Sequence, residues 1–459
     1  MRPLPIAILL VAALVAGCIT PPEPAPATNS SSVKVGPVDP ILLTHDHRNA
    51  SEHADAIHNM ELLAWAPLVE KGQWPKAHAV DMWENYLFVQ TGGDHIGFVI
   101  LDVSDPANPI EVGRYTNPDT NSGDRCIMVS EDGKYVFLAA DESEKGGIYA
   151  VDITDMANPV DVAYYEIPQY GAHTLYAKMV NGQYYVYALS FGVHILRLED
   201  QLLGGKGFTL VSRYATADPT QIAQFTETDQ GGEASYIVRD LYGHDLYVTV
   251  DNGTGRVLMY VAFAYDGFKI VDITDPRIPR EISKWVPQDQ YSPYYVHTVD
   301  VSQIGDRIIA AVGSEVFENR HTEAPSPVWF LDVTDPTKPQ LLSTWVNPGQ
   351  AGADGLLFSA HDMRIENGRV YLSHYHGGIW VLDISTPENQ TDPKVLGYYA
   401  ASMDNGYVIP EDCCFGFDIG AMPVFFDVEV KNGVAFGADL FSGVYVLRLQ
   451  DPNGAPFAE

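Results

Sequence analysis

The chain has 459 residues, and 60 acidic against 27 basic side chains give it a formal net charge of −33. Nucleic acid and anionic lipid are disfavoured as partners, because both are negatively charged themselves. Hydrophobic residues make up 46% of the chain and aromatic residues 11%, which is typical of a folded protein rather than a disordered one.

Residues 1–17 predict a lipoprotein signal peptide. One Arg is followed by the apolar run IAILLVAALVAG, which is too short to span a bilayer comfortably and leads directly to Cys18. An uncleaved anchor helix is the alternative, and with either one the body of the protein lies outside the cytoplasm. We therefore expect an extracytoplasmic protein that faces outward, with the acylated Cys18 as its only link to the membrane.

Residues 18–59 are expected to carry the acylated Cys and a tether. The Pro/Ser-rich composition of 21–40 predicts an extended, solvated chain. The segment 45–59 is interpreted most simply as a polar, flexible linker that leads to the folded part, although its four His residues could also bind a metal ion. These are His45, His47, His53 and His58.

The segment GFVILDVSDPANPIEVGRY at 97–115 recurs along the chain. Each copy has an apolar run, a turn that is usually rich in Asp and Pro, and a second alternating run, which predicts two strands joined by a tight turn. In that turn an Asp such as Asp105 can accept a hydrogen bond from the backbone two residues on, and Pro106 fixes φ. The other copies lie at 146–165, 191–214, 267–285, 327–345, 377–399 and 442–452.

Another pair of strands precedes every copy, so each unit has four antiparallel strands, as in a β-propeller blade. Seven units are present, and the last one stops at Pro452 before its fourth strand. MELLAWAPL at 60–68 has the pattern of that missing strand. We therefore predict an all-β, seven-bladed β-propeller over 60–452, closed by an N-terminal strand and followed by a tail at 453–459.

The repeat motifs VILDVSDPANP, YAVDITDMANP, KIVDITDPRIP, WFLDVTDPTKP and WVLDISTP resemble the LVIVD-repeat family of surface β-propellers. The resemblance covers about residues 60–452. It implies the propeller fold and a surface recognition role, but no settled activity. Arg197 and Arg448 depart from the pattern, since they replace the Asp of the other copies.

One residue occupies the same position at the start of the first strand in all seven units. Because the first strand of a propeller blade lines the central channel, these side chains are expected to converge on one channel mouth. They suit Cu or Zn, which bind imidazole and thiolate; the alternative is that each His caps its strand by bonding to a neighbouring blade. The seven are His78, Cys126, His173, His244, His297, His361 and Phe426.

Loops between the second and third strands reach the same mouth and bring further polar side chains there. We expect one metal ion, Cu more than Zn, on three or four ligands from the ring. The preferred set is His297 and His361 with His374 or His376, because these blades put the most imidazoles close together. Strand alternation puts His374 and His376 on one face, as a pair of ligands would require, and the alternative is that both are solvent-exposed loop histidines. The other side chains on these loops are His95, Asp141 and Asp439.

Two long segments between blades, 215–235 and 401–424, are predicted to cover this mouth, since long irregular loops in compact domains are usually functional. The second contains Cys413 and Cys414. One of them could form a disulfide with Cys126 in an oxidising compartment, or the thiolates could bind copper.

The sequence contains none of the common nucleotide-binding or hydrolase motifs, so no nucleotide cofactor is expected. The preferred function is a binding or recognition protein with a metal site, whose partner is a surface protein or a small molecule. The alternative is a copper-dependent oxidoreductase, similar in channel geometry to methanethiol-oxidase and selenium-binding propellers and to nitrous oxide reductase. The residues alone do not decide whether the protein is an enzyme.

Overall fold

The computed structural model describes residues 56–70, 73–122, 126–141, 145–168, 171–214, 243–251, 254–288, 294–316, 326–348, 358–400 and 423–457. These residues form seven antiparallel sheets, and the first strands of neighbouring sheets contact one another around a closed ring. The prediction of a seven-bladed β-propeller with four-stranded blades is therefore confirmed.

The strands of each blade follow one another from the channel outwards, as the propeller pattern requires. Blades 1 to 3 consist of β3 (Ala77–Trp83), β4 (Tyr86–Thr91), β5 (Gly97–Asp102) and β6 (Ile110–Thr116); β7 (Ile127–Val129), β8 (Tyr135–Ala140), β9 (Gly147–Asp152) and β10 (Val160–Glu166); and β11 (Thr174–Val180), β12 (Gln183–Ser190), β13 (Gly192–Asp200) and β14 (Lys206–Tyr214).

Blades 4 to 6 repeat this arrangement, and blade 7 supplies three strands from the C-terminal part of the chain. They are β15 (Asp245–Val250), β16 (Val257–Phe263), β17 (Gly267–Asp272) and β18 (Arg280–Trp285); β19 (Val296–Ile304), β20 (Arg307–Ser314), β21 (Pro327–Asp332) and β22 (Gln340–Val346); β23 (Met363–Glu366), β24 (Arg369–Ser373), β25 (Ile379–Asp383) and β26 (Lys394–Ala400); and β27 (Phe425–Lys431), β28 (Val434–Asp439) and β29 (Gly443–Leu449).

The N-terminal part of the described chain completes blade 7 and adds a fifth strand to blade 6. Strand β2 (Met60–Ala66) pairs with β29 as the outer strand of blade 7, which confirms the predicted closure. Strand β1 (Ala56–His58) pairs with the free edge of β26 in blade 6, so these three residues belong to a sheet rather than to the tether expected over 18–59. An open strand edge offers unpaired N–H and C=O groups, which explains the pairing.

The repeated turns have the predicted chemistry. In blade 1, Asp102 accepts a hydrogen bond from Ser104 N at 2.9 Å, and Asp105 accepts one from Ala107 N at 3.1 Å. Asp155, Asp275 and Asp335 repeat the second contact. In blade 6 a short helix, α1 (Pro387–Thr391), replaces this turn, and a 3-10 helix (Pro118–Thr120) follows blade 1.

The core consists of apolar layers between adjacent blades, such as the layer around Trp380 and Phe330 between blades 5 and 6. Close to the channel, buried carboxylates join the first strands instead. Asp427 accepts a hydrogen bond from Val80 N at 2.9 Å across the seam between blades 7 and 1, and Asp300 accepts one from Ile365 N at 2.6 Å. Carboxylates suit this position because they satisfy backbone N–H groups that would otherwise be buried without partners.

Candidate metal centre at the channel mouth

The structure brings most of the predicted ring together in sequence order around the channel. Ring centroids are 4.6 Å apart for His173 and His244, 3.8 Å for His244 and His297, 4.5 Å for His297 and His361, and 3.9 Å for His361 and Phe426. Cys126 Sγ donates a hydrogen bond to His173 O at 2.8 Å. Equal register in successive blades therefore places these side chains at one level.

A β-bulge in the first strand sets the direction of three of these side chains. In each case the residues on both sides pair with the second strand while the ring residue itself does not; the three are His78, His297 and Phe426. A β-bulge of this kind bends the strand and redirects the extra side chain. In the other blades the ring residue lies just before the first strand.

The strand-capping alternative is also realised, through one nitrogen of the imidazole. His297 Nδ1 donates to His361 O at 3.0 Å, and His361 Nδ1 donates to Phe426 O at 2.6 Å. A neutral imidazole that donates from Nδ1 carries its lone pair on Nε2. Capping of the next blade and metal binding are therefore compatible, because a metal-binding His commonly donates its second nitrogen to a carbonyl or carboxylate.

Three buried residues have the spacing of a metal site: His244, His297 and Glu315. One donor atom from each lies within 4.8 Å of the other two. Glu315 Oε2 is 3.2 Å from His297 Nε2. Among the residues that the structure describes, no other group of this kind is found.

Glu315 was missed by the sequence analysis, although the same alignment contained a signal for it. It follows β20 directly, as Asp141 follows β8, and Asp439 ends β28 in blade 7. The loop after the second strand is also what places the two aspartates at the mouth in the sequence-based prediction. Glu315 occupies it in blade 5, where the sequence reads AAVGSE.

Aromatic residues surround the cluster. The Tyr375 hydroxyl donates a hydrogen bond to Glu315 Oε1, and its ring stacks on His361 with centroids 5.1 Å apart. The Tyr295 ring lies 5.5 Å from that of His244. Glu315 is thus held by a hydroxyl on one oxygen while its other oxygen faces His297.

A second group of polar residues approaches His244 from blades 2 and 3. His173 Nδ1 lies 2.5 Å from Asp141 Oδ2, and His173 Nε2 lies 3.1 Å from His244 Nε2. Ser122 Oγ donates to the other oxygen of Asp141 at 2.9 Å. Asp141, which was expected at the mouth, therefore contacts His173, and His173 in turn contacts His244.

His374 and His376 are buried but do not join the three-residue cluster. His374 packs against Trp345 and Phe358, and burial lowers its pKa to about 3. The alternation expected for the pair ends at Tyr375, whose φ of 40° begins a turn. As a result the structure brings the Tyr375 side chain, rather than His374, to Glu315.

Two other residues predicted at the mouth, His95 and Asp439, form hydrogen bonds within their own blades. His95 bonds to the hydroxyls of Thr91 and Thr116, at 2.8 and 2.9 Å, and burial lowers its pKa to about 4. Asp439 accepts hydrogen bonds from Val424 N and Ser442 N, and burial raises its pKa to about 7. Their contacts are those of residues that support loops.

Cys126 is a buried thiol, and its hydrogen bond to His173 O is one that a disulfide sulfur could not donate. A disulfide from Cys126 is therefore not supported. Cys413 and Cys414, the segment 215–235 and nearly all of 401–424 lie outside the described residues, as do the signal peptide, Cys18, His45, His47 and His53. Among the described residues no helix is long and apolar enough to cross a membrane.

The LVIVD repeat family model matches residues 76–117, which contain all of blade 1, and residues 258–285, which contain most of blade 4. The chain is thus a β-propeller with LVIVD repeats, as the motifs predicted. A comparison with curated proteins found no match.

Three solved structures are similar to this chain at low identity. The β-propeller domain of Cps50 (Swd1) from Myceliophteria thermophila has 11% identity and a TM-score of 0.48, over 86% of this chain and 99% of that one. The computationally designed Ika8 protein has 11% identity and a TM-score of 0.44, over 85% and 99%. BamB from Moraxella catarrhalis has 10% identity and a TM-score of 0.44, over 85% and 97%.

Proposed function

We propose that this protein is an extracytoplasmic binding protein whose channel mouth holds one divalent transition metal ion on His244, His297 and Glu315. The observation that carries the proposal is the spacing of three buried donor atoms within 4.8 Å. Burial matters because exposed acidic groups are common without a metal, whereas buried charges are paired or coordinate a metal.

The donor set narrows the choice of ion. Two imidazoles and a carboxylate suit Zn²⁺ and Cu²⁺, whereas the softer Cu⁺ prefers thiolate and thioether sulfur. Metal–nitrogen bonds are about 2 Å long, so the three donors must close by a small movement when an ion enters. Copper ahead of zinc remains our expectation, and metal analysis separates the two.

The test uses the mature propeller, purified without added metal and then dialysed against Zn²⁺ or Cu²⁺. We expect one ion per chain by mass spectrometric metal analysis. His244→Ala and Glu315→Ala should each lose the bound ion, whereas His374→Leu, at a buried His outside the cluster, should retain it. Uptake by Glu315→Ala equal to that of the unchanged protein would refute the site.

An oxidoreductase is the second candidate, and one feature favours it. Three protein ligands leave at least one position open on an ion, which is the arrangement of catalytic rather than structural metal sites. In that case the residues bind and orient the ion, the ion supplies redox or Lewis-acid chemistry, and the buried aromatic residues limit access of water. Redox cycling of the copper-loaded protein by small reductants, absent from Glu315→Ala, would favour this candidate over a purely binding role.

The location is also part of the proposal. The apolar run before Cys18 supports acylation of that residue, which would anchor the protein to the membrane and leave the propeller facing outward, toward a surface protein or a small-molecule ligand. The acidic composition supports contact with the membrane through the lipid alone, because the charge of −33 opposes binding to anionic headgroups.

A further inference from the structure

We infer that Asp141 and His173 are positioning residues, which fix the tautomer of His244 so that its Nδ1 atom carries the lone pair offered to the metal ion. The inference rests on the proposed function for its biological meaning. It follows from a series of hydrogen bonds that can be traced from one side chain to the next across blades 2, 3 and 4.

The series starts at the carboxylate. Asp141 Oδ2 can only accept a hydrogen bond when ionised, so the proton in its 2.5 Å contact belongs to His173 Nδ1. A neutral His173 then has its lone pair on Nε2. Ser122 Oγ donates to the remaining carboxylate oxygen at 2.9 Å, which keeps the carboxylate in place.

The next contact determines the state of His244. His173 Nε2 and His244 Nε2 are 3.1 Å apart, and a hydrogen bond between two ring nitrogens needs one proton. Because His173 Nε2 is the acceptor, His244 Nε2 must be the donor. A neutral His244 with its proton on Nε2 has the lone pair on Nδ1, which is therefore its ligand atom.

The other two ligands are fixed by different partners. His297 donates from Nδ1 to His361 O, so its ligand atom is Nε2, the atom that faces Glu315. Glu315 accepts a hydrogen bond from the Tyr375 hydroxyl on Oε1, which leaves Oε2 for the ion. Each ligand thus has a partner that holds it in the required state before any ion enters, an arrangement that raises metal affinity.

The first experiment reads the tautomers directly and needs no metal. Long-range ¹H–¹⁵N correlation spectra of metal-free protein, with ¹⁵N-labelled His rings at pH 8, distinguish Nδ1–H from Nε2–H imidazole. His244→Gln and His297→Gln assign the two signals. We expect His244 to be protonated on Nε2 and His297 on Nδ1, and in Asp141→Ala we expect the His244 signal to show a mixture of both forms. An Nδ1–H form of His244 in the unchanged protein overturns the inference.

The second experiment measures affinity for Zn²⁺ by competition with a chromophoric chelator. Asp141→Ala and His173→Ala should each bind one ion, about 10- to 100-fold more weakly, since loss of a supporting partner typically has that effect. His78→Ala is the matched control, because His78 lies outside both the three-residue cluster and this series and its Nδ1 donates to Lys76 O at 2.8 Å. The affinity of that variant should stay within about twofold of the unchanged protein. Unaltered affinity in both Asp141→Ala and His173→Ala would also overturn the inference.

The visible spectrum of Co²⁺-loaded protein adds a readout that a loss of stability would not produce. If His173 acts only through His244, His173→Ala keeps the stoichiometry of one ion and a spectrum of the same coordination number. A change to a different coordination number would make His173 a ligand and contradict its positioning role. Failure of the unchanged protein to bind Zn²⁺, Cu²⁺ or Co²⁺ would instead refute the proposed function, while the metal-free spectra would still decide the tautomers.

Discussion

Met60→Ala is the sharpest test of how the ring is closed. Met60 begins strand β2 and is only 4% exposed, and it belongs to the apolar layer formed by Leu447, Leu449 and Tyr399. These partners come from blades 7 and 6, so the Met60 side chain packs where the N-terminal strand joins the C-terminal blade. Removing a fully buried Met side chain typically costs about 2–5 kcal/mol, because apolar contacts are lost and a cavity remains.

The expected change in melting temperature follows from the size of the ring. An unfolding entropy of about 2 cal/mol/K per residue over roughly 400 residues gives about 1 °C per kcal/mol, so Met60→Ala should lower the melting temperature by about 2–6 °C. Leu62→Ala is the matched control, because Leu62 lies on the same strand with 40% of its surface exposed. That variant should shift the melting temperature by less than about 1 °C.

Differential scanning calorimetry of both variants at one scan rate gives the comparison. Equal shifts for Met60→Ala and Leu62→Ala would mean that the closure does not depend on the Met60 contacts, and no shift for either would mean that β2 adds little to the folded ring. Deletion of residues 41–68 extends the test, since it removes the whole outer strand and exposes the edge of β29. We expect that chain to lose its cooperative transition.

Three further predictions concern separate features. Cys18→Ala should release the protein from the membrane or leave it uncleaved, and fractionation with membranes at the mature size would contradict lipid anchoring. His374→Leu should make the free energy of unfolding less dependent on pH. With a folded pKa of about 3, His374 binds fewer protons in the folded protein than in the unfolded chain, so its contribution to stability rises between about pH 3 and 6.5 by up to about 1.4 kcal/mol per pH unit. Urea unfolding curves of the variant should lack this contribution. Arg364→Met should destabilise the protein by about 3–5 kcal/mol in the same assay. Arg364 is buried between Asp362 and Glu429, at 2.9 and 3.0 Å, and these carboxylates would lose their cation. A stability equal to that of the unchanged protein would refute this role.

The fold could be predicted from the sequence because its determinants are local and repeated. The Asp-Pro turn occurs in four of the seven units and the alternating strands in nearly all of them. A blade with a weak pattern can therefore be assigned from the others. The closing strand was predictable for a related reason: blade 7 lacked one strand, and only one unassigned segment had the right pattern. Strand β1 was missed, since three residues are too few to show alternation.

The candidate site was predictable only in part. The register of the first strands placed His244 and His297 side by side, because every blade of a propeller repeats the same geometry. Glu315 had a positional signal at the end of its second strand. Its contact with Tyr375, however, joins loops of different blades, and such contacts leave no periodic pattern in the sequence. His374 and His376 lie outside the three-residue cluster for a local reason, since a turn at Tyr375 ends the strand alternation on which that expectation depended.

The position of the cluster has a consequence for the ring as a whole. Its donors come from blades 4 and 5, and the residues that hold them come from blades 2, 3 and 6. Strand β2 closes the ring within blade 7, where it pairs with β29, and blade 6 separates blade 7 from blade 5. A bound ion would therefore tie together two blades with which β2 does not pair. The N-terminal strand and the metal site would then stabilise different parts of one ring, the first by backbone pairing and the second by coordination.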